Sequence, residues 1–295
     1  MSDDATRWVV GCDGSKGAER AIDWCLANAP GRSSAVHVVQ AWHYPTLVSA
    51  ATMPIPDVGF EPAMAHPDPE RLAAHFAELG IQLTTAVEYG VAARVLLDAS
   101  ADADLLVLGT RGLGGFGRLI VGSVSHQCAT HARVPVAIVP ESGVTDSAVR
   151  RVVVGMDGSA GACAALRWAA EFVPPGAAIR VVGVWQPASW DENSDLHAQA
   201  DGFDAAQIRF GSVIDEIEST STDVAFERHF VGGHAAEALL TAAEGTDAIV
   251  VGERGTRGLR AALLGSTATE VLHRAELTTV IVPAPHNERH EIVQT

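Results

Sequence analysis

Residues 8–15 read WVVGCDGS and residues 152–159 read VVVGMDGS, so six of eight positions are identical at an offset of 144. Three further landmarks recur at an offset of 143: the run Gly109-Thr110-Arg111-Gly112, the pair Gly122-Ser123, and Pro140 after an apolar run. Matched landmarks at a nearly constant offset indicate an internal duplication. The repeated unit has the size of a whole domain rather than of a solenoid repeat. We therefore predict two domains, residues 1–142 and 149–285, joined by a short polar linker.

Apolar runs alternate with segments of helical periodicity within each unit. Strands of the first unit are expected near residues 8–12, 35–42, 81–89, 104–108 and 134–139. The second unit repeats the series, with strands near residues 151–156, 179–185, 223–230, 248–251 and 278–282. Continuous Val, Ile and Leu runs separated by helices are typical of a parallel sheet covered on both faces.

The predicted fold class is therefore α/β, with two tandem doubly wound (Rossmann-like) domains, each with a five-stranded parallel sheet. Ligands of such folds bind at the carboxyl ends of the strands, where we expect the functional sites. The last strand of each domain would be an exposed edge that invites pairing. We expect these two edges to be covered against one another, by the two domains or by two chains.

Composition and charge narrow the functional class. The 295 residues carry a formal net charge of −16, with a pI near 5.1. An acidic surface argues against sequence-independent nucleic-acid binding, which depends on neutralising phosphates. The chain has no apolar run of about 18 residues and no signal-peptide pattern, and its four cysteines lack C-x-x-C spacing. We therefore expect a cytoplasmic protein with no membrane partner.

The segment of residues 44–70 is rich in proline and has little periodicity. The simplest interpretation is a long surface loop. A lid or a partner-binding segment is the alternative.

The most informative pattern is Gly109-x-x-Gly112, nine residues, then Gly122-Ser123, which recurs from Gly252 with identical spacing. Each copy begins where a strand ends and finishes where a helix begins. Glycines let the backbone approach phosphate oxygens, and free N–H groups at a helix start point toward them. One copy alone could be a loop with glycines at turns. Two copies, each paired with an Asp-Gly-Ser after the first strand, favour nucleotide binding.

Two other nucleotide motifs do not apply. Residues 112–117 fit G-x-G-x-x-G, but this match follows the fourth strand rather than the first, and the second unit lacks it. The chain also has no G-x-x-x-x-G-K-[ST] sequence, so it is not a P-loop NTPase.

The Asp after the first strand, together with G-x-x-G-x9-G-[S/T], resembles the ATP-binding branch of the universal stress protein family. The resemblance covers nearly the whole chain, as in tandem-domain members. It implies ATP as the ligand, with or without Mg²⁺, and a homodimer, since members commonly pair through the last strand. It also implies that Asp13 and Asp157 face the ribose and that backbone atoms of Ala41 and Val184 meet the adenine edge.

The full set of predicted site residues adds neighbours of these positions, among them Arg111 and Arg254, which either contact phosphate or are solvated loop residues. In the first half the predicted set is Gly11, Asp13, Ala41, Gly109, Arg111, Gly112, Gly114, Gly115, Gly122, Ser123, Val124 and Ser125. In the second half it is Gly155, Asp157, Val184, Gly252, Arg254, Gly255, Gly265, Ser266 and Thr267. The second half departs from the pattern, because Ala268 replaces Ser125 and Glu253 places an acid between the first two glycines. Equal nucleotide occupancy of the two halves is therefore not expected.

Other reactive side chains are not expected to be catalytic. We assign surface or packing roles to the twelve histidines. His126 and His131, five apart on a predicted helix, do not align on one face. No base is paired with a nucleophile near the glycine loops, and phosphoryl transfer needs a positioned base as well as charge stabilisation.

We therefore predict a nucleotide-dependent regulator of the stress response with an unidentified protein partner and no enzymatic role beyond weak ATP hydrolysis. Two alternatives are an ATPase or nucleotide-transferring enzyme on the same fold and a nucleotide-free interaction scaffold.

Overall fold

The computed structural model describes residues 6–42, 69–112, 121–142, 147–185, 196–221, 223–255 and 263–285. The first unit contains β1 (Arg7–Gly11), α1 (Lys16–Asn28), β2 (Ala35–Trp42), α2 (Pro69–Glu78), β3 (Gln82–Tyr89), α3 (Ala92–Ala99), β4 (Leu105–Gly109), α4 (Ser123–His131) and β5 (Val136–Val139). The second contains β6 (Arg151–Met156), α5 (Ala160–Phe172), β7 (Ala178–Trp185), α6 (Leu196–Glu218), β8 (Ala225–Gly232), α7 (Ala235–Ala242), β9 (Ala248–Gly252), α8 (Ser266–Arg274) and β10 (Thr278–Val282). The predicted α/β fold class is confirmed.

The strand order explains where a ligand can bind. All strands run in the order β3-β2-β1-β4-β5-β10-β9-β6-β7-β8. Within each half every described pairing is parallel. The order reverses between β1 and β4, and between β6 and β9, which are the switch points at which doubly wound sheets bind ligands.

The two halves join through their last strands into one ten-stranded sheet. Strand β10 pairs with β5 in antiparallel register, with Val280 opposite Ala137. The expectation that the two edges cover one another is confirmed, and both edges belong to the same chain. Because this pairing is antiparallel, the carboxyl ends of the strands of the two halves lie at opposite rims of the sheet.

Aromatic rings from both domains stack on one face of the sheet beside the linker. Trp24 of α1 stacks on Phe172 of α5 with ring centroids 5.9 Å apart and planes 6° apart. Phe172 also stacks on Trp8 and on Trp168. Arg32 lies over the same ring and donates from Nε to the Phe172 carbonyl at 2.6 Å. Trp24 and Trp168 therefore help to dock the two domains.

On the other face, α4 packs on β5 and α8 packs on β10. Their docking places the His126 and His273 rings side by side, with centroids 6.0 Å apart. Burial, followed by the proximity of His273 and His131, lowers the pKa of His126.

Helix α6 has no counterpart of equal length. It spans 23 residues, whereas α2 spans 10, so the second unit does not simply repeat the first. Most of the proline-rich segment at 44–70 lies outside the described residues, and its last two residues, Pro69 and Glu70, begin α2. Among the described residues, no helix combines the length and the apolar character that a bilayer crossing requires.

Candidate functional site

The Asp-Gly-Ser motif forms the same turn after β1 and after β6. Asp13 Oδ1 accepts a hydrogen bond from the Ser15 backbone N–H at 3.0 Å, and Asp157 Oδ1 accepts one from Ser159 at 2.9 Å. The glycine between them has a φ of 79° in both copies, a left-handed conformation that disfavours other residues. Each turn therefore holds its carboxylate in one orientation at the carboxyl end of the strand.

The serine of this motif has two roles. Ser15 Oγ accepts from Ala18 N–H at 3.2 Å, so it caps α1. It also lies 3.2 Å from the Arg111 carbonyl oxygen, to which its hydroxyl donates. Ser159 makes the equivalent contact to Arg254 at 3.3 Å. The start of the first helix is thus bonded to the glycine loop that follows the fourth strand of its domain.

Close backbone contact explains the first glycine of each loop. A Cβ at Gly252 would lie 2.6 Å from the carbonyl carbon of Gly161 in α5, too close for any side chain. A Cβ at Gly109 would likewise lie too close to the carbonyl carbon of Gly17 in α1. Gly17 and Gly161 are not among the predicted site residues, although they recur at the motif offset of 144.

The second glycine of each loop makes room for the carboxylate. A Cβ at Gly112 would overlap Asp13 Oδ2, and a Cβ at Gly255 would overlap Asp157 Oδ2. The sequence places these residues about 100 positions apart, and the fold brings them into contact. An aspartate and the backbone of a glycine loop therefore share one side of each site.

The third glycine begins a helix. Gly122 and Gly265 are the N-cap residues of α4 and α8, and within the described residues neither helix has a side-chain cap bond. The Gly122 N–H donates to the Thr110 carbonyl at 2.6 Å, and Gly265 donates to Glu253 at 2.8 Å. The loop is thereby closed at its base, next to the first N–H groups of the helix, which are of the kind that binds anions.

Ser123 and Ser266 are exposed at these helix starts, next to Val124 and Thr267. Ser125 is different, because it is only 6% exposed and its hydroxyl donates to the Gly109 carbonyl at 2.7 Å. Its role in the structure is to tie α4 to the end of β4.

The loops differ in their charged residues. Glu253 is only 3% exposed, and its Oε1 lies 3.7 Å from Arg254 Nη1. Arg254 Nε also donates to the Leu263 carbonyl at 3.2 Å. Arg254 is therefore bonded within its own loop, and Glu253 offsets part of its charge. In the first half Thr110 occupies the position of Glu253.

A cleft of about 1090 Å³ opens at the carboxyl ends of the strands in the second half. Every residue that the sequence analysis assigned to the second site lines this cleft. Side chains that it did not assign also line it, among them Trp185, Arg209 and Phe210. The last two lie on α6, whose extra length had no signal in the repeat.

Of the residues predicted for the first site, Gly114 and Gly115 lie outside the described residues. Gly11 is half-buried at the end of β1, where a Cβ would lie 2.5 Å from Leu108 Cδ2, so a larger residue there would displace Leu108. Ala41 is half-buried at the end of β2.

Comparison with known proteins agrees with the duplication. The model of the Universal stress protein family matches residues 5–140 and again residues 148–283. The chain is 27% identical over 308 residues to Universal stress protein Rv1996 of Mycobacterium tuberculosis, covering 95% of each. It is 25% identical to Universal stress protein Rv2005c of the same species, covering 92% of this chain and 95% of the relative. Among solved structures, a universal stress protein from Archaeoglobus fulgidus superposes with a TM-score of 0.65 at 19% identity, covering 95% and 97%.

Proposed function

This chain belongs to the universal stress protein family, and on that premise we propose that both of its halves bind ATP and that the bound nucleotide regulates its contacts with a protein partner. One observation carries the proposal. In each half, an oriented aspartate lies against a glycine loop whose far end is a helix N-terminus capped by a glycine.

The chemistry of the two parts matches the two ends of a nucleotide. A carboxylate accepts hydrogen bonds from ribose hydroxyls, the role that acidic residues have in dinucleotide-binding folds. The N–H groups at the start of α4 and α8 suit phosphate oxygens. Apolar residues such as Val184 on the cleft wall provide a surface for the base. Mg²⁺ would accompany the triphosphate mainly through phosphate oxygens.

The composition of the cleft supports binding with little turnover. Among the described residues that line it, Asp157 is the one carboxylate, and none is a histidine or a cysteine. Asp157 already accepts from the Ser159 N–H, which suits a positioning role. We therefore propose a nucleotide-binding regulator in the cytoplasm, with ATP hydrolysis below about 1 s⁻¹, the low end of ordinary enzymes.

The proposed homodimer needs a surface other than the last strands. Strands β5 and β10 already pair within the chain, so their edges are not available to a second copy. The outermost strands of the sheet are β3 and β8.

The test is to release and identify the nucleotide of freshly purified protein and then to titrate the emptied protein with ATP, GTP and cyclic AMP. We expect ATP to bind with up to two sites per chain and with the highest affinity of the three. The double variant Gly122→Val/Gly265→Val should lose this binding while keeping its circular dichroism spectrum. Absence of nucleotide binding by the wild-type chain would favour the scaffold alternative, and turnover above about 1 s⁻¹ would favour an enzyme.

A further inference from the structure

Two histidines that are far apart in the sequence meet where the domains join. His126 lies on α4 of the first domain and His273 lies on α8 of the second, and their ring centroids are 6.0 Å apart with planes 33° apart. Both rings are half-buried, so solvent and small ions reach them. Nothing in the proposed nucleotide site uses either ring.

We propose that His126 and His273 form a binding site for a divalent transition-metal ion of the zinc class, bridging the two domains. Imidazole nitrogens bind such ions at about 2.0–2.1 Å. Since the ring centre lies about 1 Å behind the nitrogen, two rings on one ion have centres about 5–6.5 Å apart, depending on the angle at the metal. The observed separation falls in this range.

Charged groups on α8 and on α3 pair with one another near the two rings. On α8, Glu270 Oε1 accepts from Arg274 Nη1 at 2.6 Å, and Glu270 Oε2 lies 3.6 Å from His234 Nε2. On α3, which packs against α4, Arg94 and Asp98 pair with each other at 3.6 Å. Arg94 and Arg274 thus each have a carboxylate partner, and His131, on the same helix as His126, is exposed.

The donor set also indicates which ions fit. Within the described residues, no group of three or more His, Cys, Asp and Glu side chains is arranged to hold a metal. The two histidines would therefore share the ion with water, as in an exchangeable site rather than a closed structural one. Imidazole suits Zn²⁺, Cu²⁺ and Ni²⁺, whereas Mg²⁺ and Ca²⁺ require oxygen ligands.

Binding of a metal ion by both histidines would depend on the packing of the two domains against each other. One ligand comes from each domain, so the site exists only while β5 and β10 are paired as observed. Binding to the docked state alone would stabilise that state by mass action.

The test is calorimetric titration of the full chain with ZnCl₂ at pH 7.5, where unperturbed histidines are mostly neutral. The variants are His126→Ala, His273→Ala, the double variant, and His131→Ala as a matched control on the same helix. We expect each single variant to lose one zinc site, or to bind it at least about tenfold more weakly. The double variant should lose no more than either single one, and His131→Ala should match the wild type.

Other histidines of the chain can add zinc sites, and the comparison among variants separates these from the bridging site. The proposal is overturned if His126→Ala and His273→Ala remove different sites, if neither removes one, or if MgCl₂ binds as ZnCl₂ does. Unchanged circular dichroism and ATP binding of each variant would show that the fold is intact, so a lost zinc site could not be attributed to unfolding.

Discussion

Asn28 and Val149 are joined by a hydrogen bond that ties the first domain to the start of the second. The Val149 N–H donates to Asn28 Oδ1 at 2.8 Å, and the Asn28 side chain has no exposed surface. The Nδ2 of the same amide donates to the Trp24 carbonyl at 2.9 Å. One buried amide therefore bonds the end of α1 and the chain that enters β6.

Replacing Asn28 by Ala should lower the free energy of unfolding by about 1–3 kcal/mol, because a buried backbone N–H loses its partner. Urea denaturation measures this change. Ser212→Ala, on the exposed surface of α6, is the control and should stay within about 0.5 kcal/mol of the wild type. An equally small effect at Asn28 would show that water replaces the bond at no cost.

Gly112→Ala should displace the carboxylate of Asp13, since the new Cβ overlaps Oδ2. We expect a loss of about 1–3 kcal/mol in stability from overpacking, and weaker ATP binding in the first half. The double variant Asp13→Ala/Gly112→Ala should be less destabilised than the sum of the single variants, because the clash is absent. Additive effects in thermal denaturation would contradict the contact.

Gly211→Ala provides a control for the glycine substitutions. Gly211 lies inside α6, and a Cβ there meets nothing within 4 Å. Alanine should therefore stabilise the chain by about 0.5–1 kcal/mol through helix propensity.

The first half should hold ATP more tightly than the second. Ser125 ties α4 to Gly109, which Ala268 cannot do in the second half, and Glu253 offsets the charge of Arg254. A valine side chain should block each loop in turn, so Gly122→Val should release more ATP than Gly265→Val, because it disables the half that holds more of the bound nucleotide. The measurement is nucleotide retention after gel filtration. Equal or greater loss with Gly265→Val would reverse the order.

The buried thiols should resist alkylation in the native state. Burial raises the pKa of Cys128 to about 12 and raises the pKa of Cys25 and Cys12 as well. Because the thiolate is the nucleophile, iodoacetamide at pH 8 should modify the half-buried Cys163 first. Peptide mass spectrometry gives the order in which the cysteines are labelled. Labelling in urea should abolish the differences in rate among them. Fast native labelling of Cys128 would contradict the packing of α4.

Backbone amides of β5 and β10 should exchange with deuterium as slowly as those of the central strands. Their ladder is continuous with the rest of the sheet, whereas β3 and β8 lie at its outer edges. Hydrogen-exchange mass spectrometry compares residues 136–139 and 278–282 with residues 82–89. Exchange in β5 and β10 as fast as in β3 would mean that the two domains separate readily.

The repeat was sufficient to predict the parallel strands, since motif spacing and strand-end positions are local properties of the sequence, whereas one shared site for Asp13 and the glycine loop was implied by the family resemblance. Strand β6 and strand β10 have the predicted bounds, and β8 begins two residues later than expected. The features that the repeat could not predict depend on how the two domains pack against each other. The neighbours His126 and His273 belong to different units, and no periodicity relates them. Glu253 is buried beside Arg254 for a similar reason, because burial of a loop residue depends on what packs over it.

With β5 and β10 paired inside the chain, each molecule is in effect a heterodimer encoded by one gene. Two separate single-domain copies would be identical, and a substitution would alter both of their sites at once. Here Thr110 and Glu253 occupy equivalent loops of the same molecule, in a fixed one-to-one ratio. Selection can therefore change the loop of one half while the other half keeps its own.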